Sequence, residues 1–457
     1  MNPREVKSAE DARQIVRERG LSHVKVGVHG VDGILRGKYL HVDKFFSALD
    51  GGFGFCDVVL GWDSNDQLYD NVTYTGWHTA YPDAPVRIIP ESCRDLPTEP
   101  GGLFFLCEFA DKAEAICPRG VLRRVLQRAE RMGFSVRCGF EYEFFVFDET
   151  PRSVREKGFK NLTPISPGYF GYSVIRNSVY AEWYRELLAF CDAMDFGLEG
   201  LHTETGAGVL EAALRVSSGI ESADKAALFK TFVKVLAQRR NWMATFMAKW
   251  SKDWPGCGGH IHMSLWRDGR KPRSVFHESK APHQMSDTMR SFVAGQQALM
   301  PEVLAMVAPT VNSFRRLIPG FWAPTSATWG VENRTTALRV IPGSEKSTRV
   351  EFRVAAADGN PYLALAAAVG AGLWGIENKL KLGEPVHGNA YDRQHPAKLD
   401  LPRTLMEAAG RLRASKPARE LFGDAFVEHY AATREWEERE FRKAITEWEL
   451  ERYFEII

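Results

Sequence analysis

The chain has 457 residues, enough for more than one domain and a sizeable buried core. Lys plus Arg is 59 against 58 for Asp plus Glu, and a net charge of +1 supplies no global field for a nucleic acid or an anionic membrane. At 44% hydrophobic and 26% charged residues the chain is neither disordered nor collagen-like, and its seven cysteines lack a CxxC pair, which excludes a disulfide framework and a thiolate zinc knuckle and points to a cytoplasmic setting.

Residues 8–20 carry an amphipathic helix pattern, followed after Gly20 by strand-like VKVGVHG, the turn VDG and a second strand, ILRGKYLHV. From 53 to 107, glycine, proline, aspartate and aromatics with turn signals at DSND, YPDAP and TEPGG predict strands joined by ordered loops. A boundary near 108–117 divides the chain into units 1–110 and 111–457. The second unit opens on CPRGVLRRVLQRAERMG, a helix started by proline and stopped by glycine, and a strand follows. Further helices are expected at 179–195, 222–240, 285–307, 361–379, 403–414 and 430–453. The N-terminal MNPREVKSAEDARQ has no apolar stretch of the secretory kind, and the longest apolar run, 363–376, is too short for a membrane span and reads as a buried helix after Asn360-Pro361.

Three segments share a two-residue alternation. In GFEYEFFVF, Phe140, Tyr142 and Phe144 fall on one face and Glu141 with Glu143 on the other, the two carboxylates about 7 Å apart by strand rise. In GGHIHMSLW, Ile261, Met263 and Leu265 oppose His260, His262 and Ser264; in TRVEFRV, Val350, Phe352 and Val354 oppose Arg349, Glu351 and Arg353. One such strand is an ordinary half-wet sheet face. Three, each concentrating Glu, His or Arg opposite an apolar reverse, describe a polar cleft in which like-charged carboxylates require cations between them. Glu204 and Glu211 bracket a small-residue loop and add two more carboxylates. Five glutamates and one histidine favour a hard divalent ion, Mg²⁺ or Mn²⁺, over zinc.

Between 312 and 353 lie Arg315, Arg316, Arg334, Arg339, Lys346, Arg349 and Arg353 against only Glu332, Glu345 and Glu351. Guanidinium forks match phosphate and carboxylate, so this segment suits a nucleotide and an acidic substrate beside the metals. Metals, cations and a carboxylate site together point to phosphoryl transfer onto an acid. No Walker sequence, kinase set or GxGxxG fingerprint is present.

These residues resemble the glutamine synthetase family. GFEYEFFVFD is similar to its GxExEFF strand, and ATFMAKW with GCGGHIHMSLW to its FMPKP and GSGxHxHxSL region. NSFRRLIPG, ENRTTALRV, STRVEFR and NPYLALAAAV resemble its remaining blocks, and the similarity runs from GILRGK to EWELERYFEII. The resemblance implies an α+β fold: an N-terminal β-grasp domain and a catalytic domain on a curved antiparallel sheet, in a homododecamer of two hexameric rings that share active sites between subunits. It assigns Glu143, Glu204 and Glu211 to one metal and Glu141, His260 and Glu351 to the other. ATP would meet Glu199, His262, Ser264, Lys346 and Arg349; glutamate would meet Gly256, Arg316 and Arg353; Arg334 and Arg339 would flank the transferred phosphate on the way to a γ-glutamyl phosphate.

The chain departs from the family pattern in three places. Where ammonia-using members have a flap glutamate in a sequence like PGYEAP, it reads PGFWAP, with Trp322 there. An indole carries no negative charge but offers an apolar wall and a π-face to a substituted amine; the same residue also admits a packed core role. GQxE is replaced by Gly208-Val209-Leu210-Glu211, and Pro255 replaces an asparagine near the glutamate site. The reading is therefore a ligase joining glutamate to a small organic amine (alkyl, aromatic, ethanolamine or polyamine), with an ammonia-using synthetase and a noncatalytic relative as alternatives. Asp57 matches the family's ammonium-binding aspartate loosely, with Asp63 as its rival, and no NLY-type tyrosine stands near 391–403 to accept an adenylyl group. Neither nucleic acid nor membrane is an expected partner.

Overall fold

Two β-sheets, each backed by helices, carry the fold of the computed structural model, which describes residues 1–457. The first unit runs α1 (Ala9–Glu18), β1 (His23–His29), β2 (Leu35–His41), α2 (Val42–Gly51), β3 (Phe53–Cys56), β4 (Asp83–Ile88), β5 (Arg94–Asp95) and β6 (Leu103–Phe109). Ser8 starts α1 by accepting the Asp11 N–H with its hydroxyl. The strand order is β2-β1-β6-β4-β3 with β5 on β6; β1 and β6 run parallel and the other pairs antiparallel. Val24, Val26, Val28, Phe45, Phe105 and Phe109 belong to the core of this unit, which closes at Cys117.

The second unit continues with α3 (Pro118–Arg131), β7 (Ser135–Phe147), α4 (Pro151–Glu156), α5 (Val174–Val179), α6 (Ala181–Ala193), β8 (Leu198–Thr203), β9 (Val209–Leu214) and β10 (Ser217–Ser218). After α7 (Gly219–Arg239) come β11 (Met243–Thr245), β12 (Gly259–Arg267) and β13 (Arg273–Ser274). Next are α8 (Asp287–Val303), α9 (Ser313–Arg316), β14 (Trp329–Val331), β15 (Leu338–Ile341) and β16 (Arg349–Phe352). The chain ends in α10 (Pro361–Glu377), α11 (Leu405–Ala414), α12 (Lys416–Phe422), α13 (Asp424–Phe441) and α14 (Glu447–Tyr453).

Ten strands form the second sheet, in the order β14-β15-β16-β12-β7-β9-β8, with β10, β11 and β13 as short additions. Only β14 and β15 pair in parallel. The reverse of the sheet is aromatic: Phe140 and Tyr142 stack at 5.7 Å, and Phe144 stacks on Phe246 at 5.1 Å. Helix α7 covers this side, and α10, apolar on every face, is buried against α3, α7 and α8. Its closest crossing is with α8, where a Cβ built on Gly295 would lie 2.6 Å from the Gly375 Cα.

The expected helix over 430–453 is two helices. Its first part begins earlier, at Asp424, and the chain breaks after Phe441 because Thr446 caps a new helix reciprocally with Glu449. Helices α2, α4, α5, α9 and α12 were not anticipated. All seven cysteines are free, and no helix is long and apolar enough to cross a membrane.

The two units are stitched by buried polar contacts. Arg434 of α13 donates to Asp32 at 2.6 Å, Asn360 donates to the Val31 carbonyl at 3.0 Å, and His429 donates through Nε2 to the Leu60 carbonyl at 2.9 Å.

Candidate active site

The alternation read from the sequence holds in space. Along β7 the residues Phe140, Tyr142 and Phe144 are buried behind the sheet while Glu141 and Glu143 face forward, and β12 and β16 follow the same rule. Strand register then sets the polar residues side by side: His260 opposite Glu141, Glu143 opposite Glu211, His262 and Arg339 on either side of Glu351. In front of them lies a cavity of about 470 Å³. All six predicted metal ligands line it, with Arg316, Arg334, Arg339, Arg353, Gly256 and Trp322 of the predicted substrate and catalytic set.

Two groups of side chains bring potential ligand atoms within 4.8 Å of one another: Glu141, His260 and Glu351, and separately His202, Glu204 and Glu211. The first is the predicted trio. The second contains a histidine that sequence reasoning passed over, although His202-x-Glu204 repeats the two-residue spacing of the other strands. Glu143, predicted with Glu204 and Glu211, is half-buried; its Oε2 accepts the Gly258 N–H at 2.6 Å, and burial raises its carboxyl while the Arg316 charge opposes that rise.

The protonation pattern is that of a site short of positive charge. Burial pushes the Glu211 carboxyl up, and Glu141, to which it is hydrogen-bonded, pushes it further. Glu141 is held down against the effect of burial, by His262 and by that same shared proton. Like carboxylates in contact behave this way when no cation separates them, and a divalent ion replaces the proton, so the donor set fits a hard metal. For Glu351 burial raises the pKa, but Arg353, His260 and His262 outweigh it and bring it to about 2. Burial, then Arg353, lowers His260 to about 3 and leaves its imidazole neutral, the form that ligates metals.

His262 has a defined tautomer. Arg349 donates from Nε to its Nδ1 at 3.1 Å, so its Nε2 carries the hydrogen and donates to Glu141 at 2.8 Å. Gly258 is required beside it: a Cβ there would stand 2.5 Å from His260 Nε2 and 3.0 Å from the Arg316 guanidinium.

The four cavity arginines differ in what remains available. Arg316 is buried and donates to the Val354 and Arg353 carbonyls, both at 3.1 Å. Arg339 bridges Glu332 and Glu351, donating to Glu351 at 3.0 Å. Arg353 pairs with Glu351 and reaches the Trp322 carbonyl at 3.4 Å, and its Nε–H is buried without a partner. Arg334 is exposed.

Other predicted residues stand elsewhere. Arg315 is exposed and does not line the cavity, so the basic stretch is not a single patch. His262, Ser264, Lys346 and Arg349 lie outside the cavity lining, and Lys346 is exposed. Glu199 is the extra residue of a β-bulge between Leu198 and Gly200, which turns it out of the alternation into solvent. Asp57 is buried in its own unit, where it accepts the Thr75 hydroxyl at 2.7 Å, and does not line the cavity. Asp63 is occupied in a turn, accepting the Asn65 and Gln67 N–H groups, both at 2.8 Å.

Trp322 is 57% exposed, which excludes the packed core role. It sits at φ +61° on the loop after α9. With Phe145, Tyr172, Pro255 and Phe321 it gives the cavity an apolar flank, of which the sequence signalled Trp322 and Pro255 but not Phe145, Tyr172 and Phe321, because these residues come from separate loops and strands.

Similar proteins converge on one family. The glutamine synthetase catalytic domain matches residues 115–453. "Type-1 glutamine synthetase 2" of Dictyostelium discoideum is 46% identical over 95% of this chain and 84% of its own length. "Glutamate--isopropylamine ligase" of a Pseudomonas species is 33% identical over 97% of both chains. The solved structure described as "Apo GmaS without ligand" superposes with a TM-score of 0.84 at 25% identity, covering 97% of this chain and 99% of that one. A catalytic-domain match across most of the second unit, with relatives spanning both units, establishes that the chain belongs to the glutamine synthetase family.

Proposed function

We propose that this protein is an ATP-dependent ligase that joins the γ-carboxylate of glutamate to a small organic amine through a γ-glutamyl phosphate. Family members are carbon–nitrogen ligases that use ATP and divalent metals. The observation that carries the finer reading is the flap: an exposed indole, with no carboxylate, stands on the apolar flank of a cavity whose polar wall is built from glutamates, arginines and His260.

In this reading Glu141, His260 and Glu351 hold one Mg²⁺ or Mn²⁺, and Glu143, Glu204 and Glu211 a second. Bound there, the ions neutralise the phosphates and polarise the transferring phosphoryl group. Glu199, His262, Ser264, Lys346 and Arg349 position ATP. The buried Nε–H of Arg353, with Arg316 and the backbone at Gly256, receives the glutamate carboxylate. Arg334 and Arg339 balance charge on the phosphoryl group as the γ-carboxylate attacks it and ADP leaves.

The amine nitrogen then attacks the acyl carbon, phosphate departs and an ammonium proton is lost. Trp322 cannot take that proton, so its part is to wall the substituent and present its π-face to the cation. Asp57 is the proposed acceptor, from an adjacent subunit in a dodecameric ring assembly, since it does not reach the cavity of its own chain and Asp63 is engaged in a turn. The proposal includes a domain division at 110/111, with a β-grasp first unit supported by its mixed sheet and the helix α2 packed on it.

A coupled assay of ADP release with glutamate and a panel of amines tests the function. Saturation with an alkyl, aromatic, hydroxyalkyl or polyamine substrate well below the ammonium requirement is expected. Equal efficiency with ammonium alone favours the second reading, an ammonia-using synthetase, for which the 46% identity to the Dictyostelium protein speaks.

A further inference from the structure

Strands β8 and β9 pair so that His202 stands directly opposite Glu211, and Glu204 follows two residues later on the same face. The three converge on one spot with acceptors and almost no donors. His202 Nε2 is buried without a hydrogen-bond partner and lies 3.5 Å from Glu211 Oε1. Glu211 is 94% buried, a carboxylate aimed into the cavity that receives no N–H from any residue. Glu204 accepts only the N–H of Thr205. On its other side the imidazole is clamped by Tyr172, whose ring stacks on it at 4.4 Å and 11°. A loop tyrosine at φ +56° and 68% exposed is an unusual place to find a coplanar stack, and its effect is to fix the direction in which the imidazole points.

A buried nitrogen without a partner carries an uncompensated desolvation cost, and a cation among these three groups removes it. Glu143 is less free, because one of its oxygens already accepts the Gly258 N–H. We infer that His202 is a ligand of the second cation, which is therefore held by one nitrogen and glutamate oxygens, with Tyr172 as the residue that orients the imidazole. A nitrogen donor also tilts this site from Mg²⁺ toward a transition ion such as Mn²⁺.

The inference rests on the two-cation reading of the cavity but is decided without turnover. Mn²⁺ is titrated into the full-length protein, with free ion counted by electron paramagnetic resonance and imidazole nitrogen coupling read by the pulsed method. Two tight ions per chain are expected for the unmodified protein. In His202→Asn one ion weakens by about tenfold or more, and the nitrogen coupling that appears with the second equivalent is lost. Tyr172→Ala, which alters only an exposed loop residue and so guards against a folding failure at His202, weakens the same ion, while Tyr172→Phe keeps it. Two ions bound by His202→Asn at unchanged affinity and with undiminished nitrogen coupling would overturn the assignment. A protein that ligates no amine yet shows the expected titration discards the proposed function and keeps this site; one that ligates amines but binds Mn²⁺ unchanged in His202→Asn does the reverse.

Discussion

Glu351 receives Arg339 and Arg353 on its two oxygens and faces His260 within the same trio, so its removal takes Arg353's counter-charge and one of the two that Arg339 holds and, in the proposed reading, one ligand of a cation. Glu351→Gln keeps the shape and loses the charge. Metal-dependent ADP release should fall by about 100-fold or more, measured at saturating ATP and glutamate; release within a factor of a few of the unmodified protein would remove Glu351 from the ligand set. Trp322 makes a different prediction. If its ring holds a substituted ammonium, Trp322→Ala loses about 1–2 kcal/mol of cation–π and apolar contact, a rise of about 5–30-fold in KM for the amine with kcat for any ammonium activity unaltered. A fall in kcat alone, with KM constant, would place the indole in some other role.

At the scale of elements, the most exacting contact is the crossing of α8 and α10 at Gly295 and Gly375. Gly295→Ala forces a methyl group against backbone that has no room to give, and a loss of about 1–3 kcal/mol is expected from overpacking, visible as a lower melting temperature. Gly410, on α11 with nothing near its Cβ, is the control, where alanine should be neutral or stabilising through helix propensity. Elements also show how far a sequence speaks. The strands at 135–147, 259–267 and 349–352 were legible because both faces are marked, one by aromatics and aliphatics and the other by Glu, His and Arg. Strand β8 was not: LEGLHT has a weak apolar side, and its bulge at Glu199 breaks the alternation that would have exposed His202. The interruption after Phe441 was hidden because helical periodicity continues through a break whose only local sign is the Thr446–Glu449 cap. The basic stretch by itself did not separate the cavity arginines from the rest, since proximity along the chain put Arg315 beside Arg316 and the turn of α9 sends them apart; the family resemblance alone singled out Arg316, Arg334, Arg339 and Arg353.

On the scale of the whole molecule, two buried histidines sit where the units join. His29, at the end of β1, packs 5.2 Å from the Tyr362 ring of α10, with Asp224, Arg119 and Lys230 around it; His429 of α13 donates to the Leu60 carbonyl near Arg434. Burial lowers each from 6.5 to about 4. The unfolded chain therefore binds more protons than the folded one between these values, so stability is complete above pH 6.5 and is lost as pH falls toward 4. Each imidazole accounts for roughly 3 kcal/mol at full protonation. Melting temperature followed from pH 7 to 4 should decline, and His429→Gln, which retains a donor for Leu60, should flatten the decline; an unchanged slope would show that His429 does not govern it.

The sheet assigns every second position to the core and the rest to chemistry, and that interleaving limits how such a protein can change over time. Loss of one residue within β12 would send His262 among the packed helices and Met263 into the cleft, ruining both at once. Variation in length must fall between strands instead, in the stretches 157–173 and 317–328 that contribute Tyr172, Phe321 and Trp322. Those stretches are thus where a descendant can reshape the apolar flank of the cavity while the glutamates, His260 and arginines carried by the sheet stay as they were.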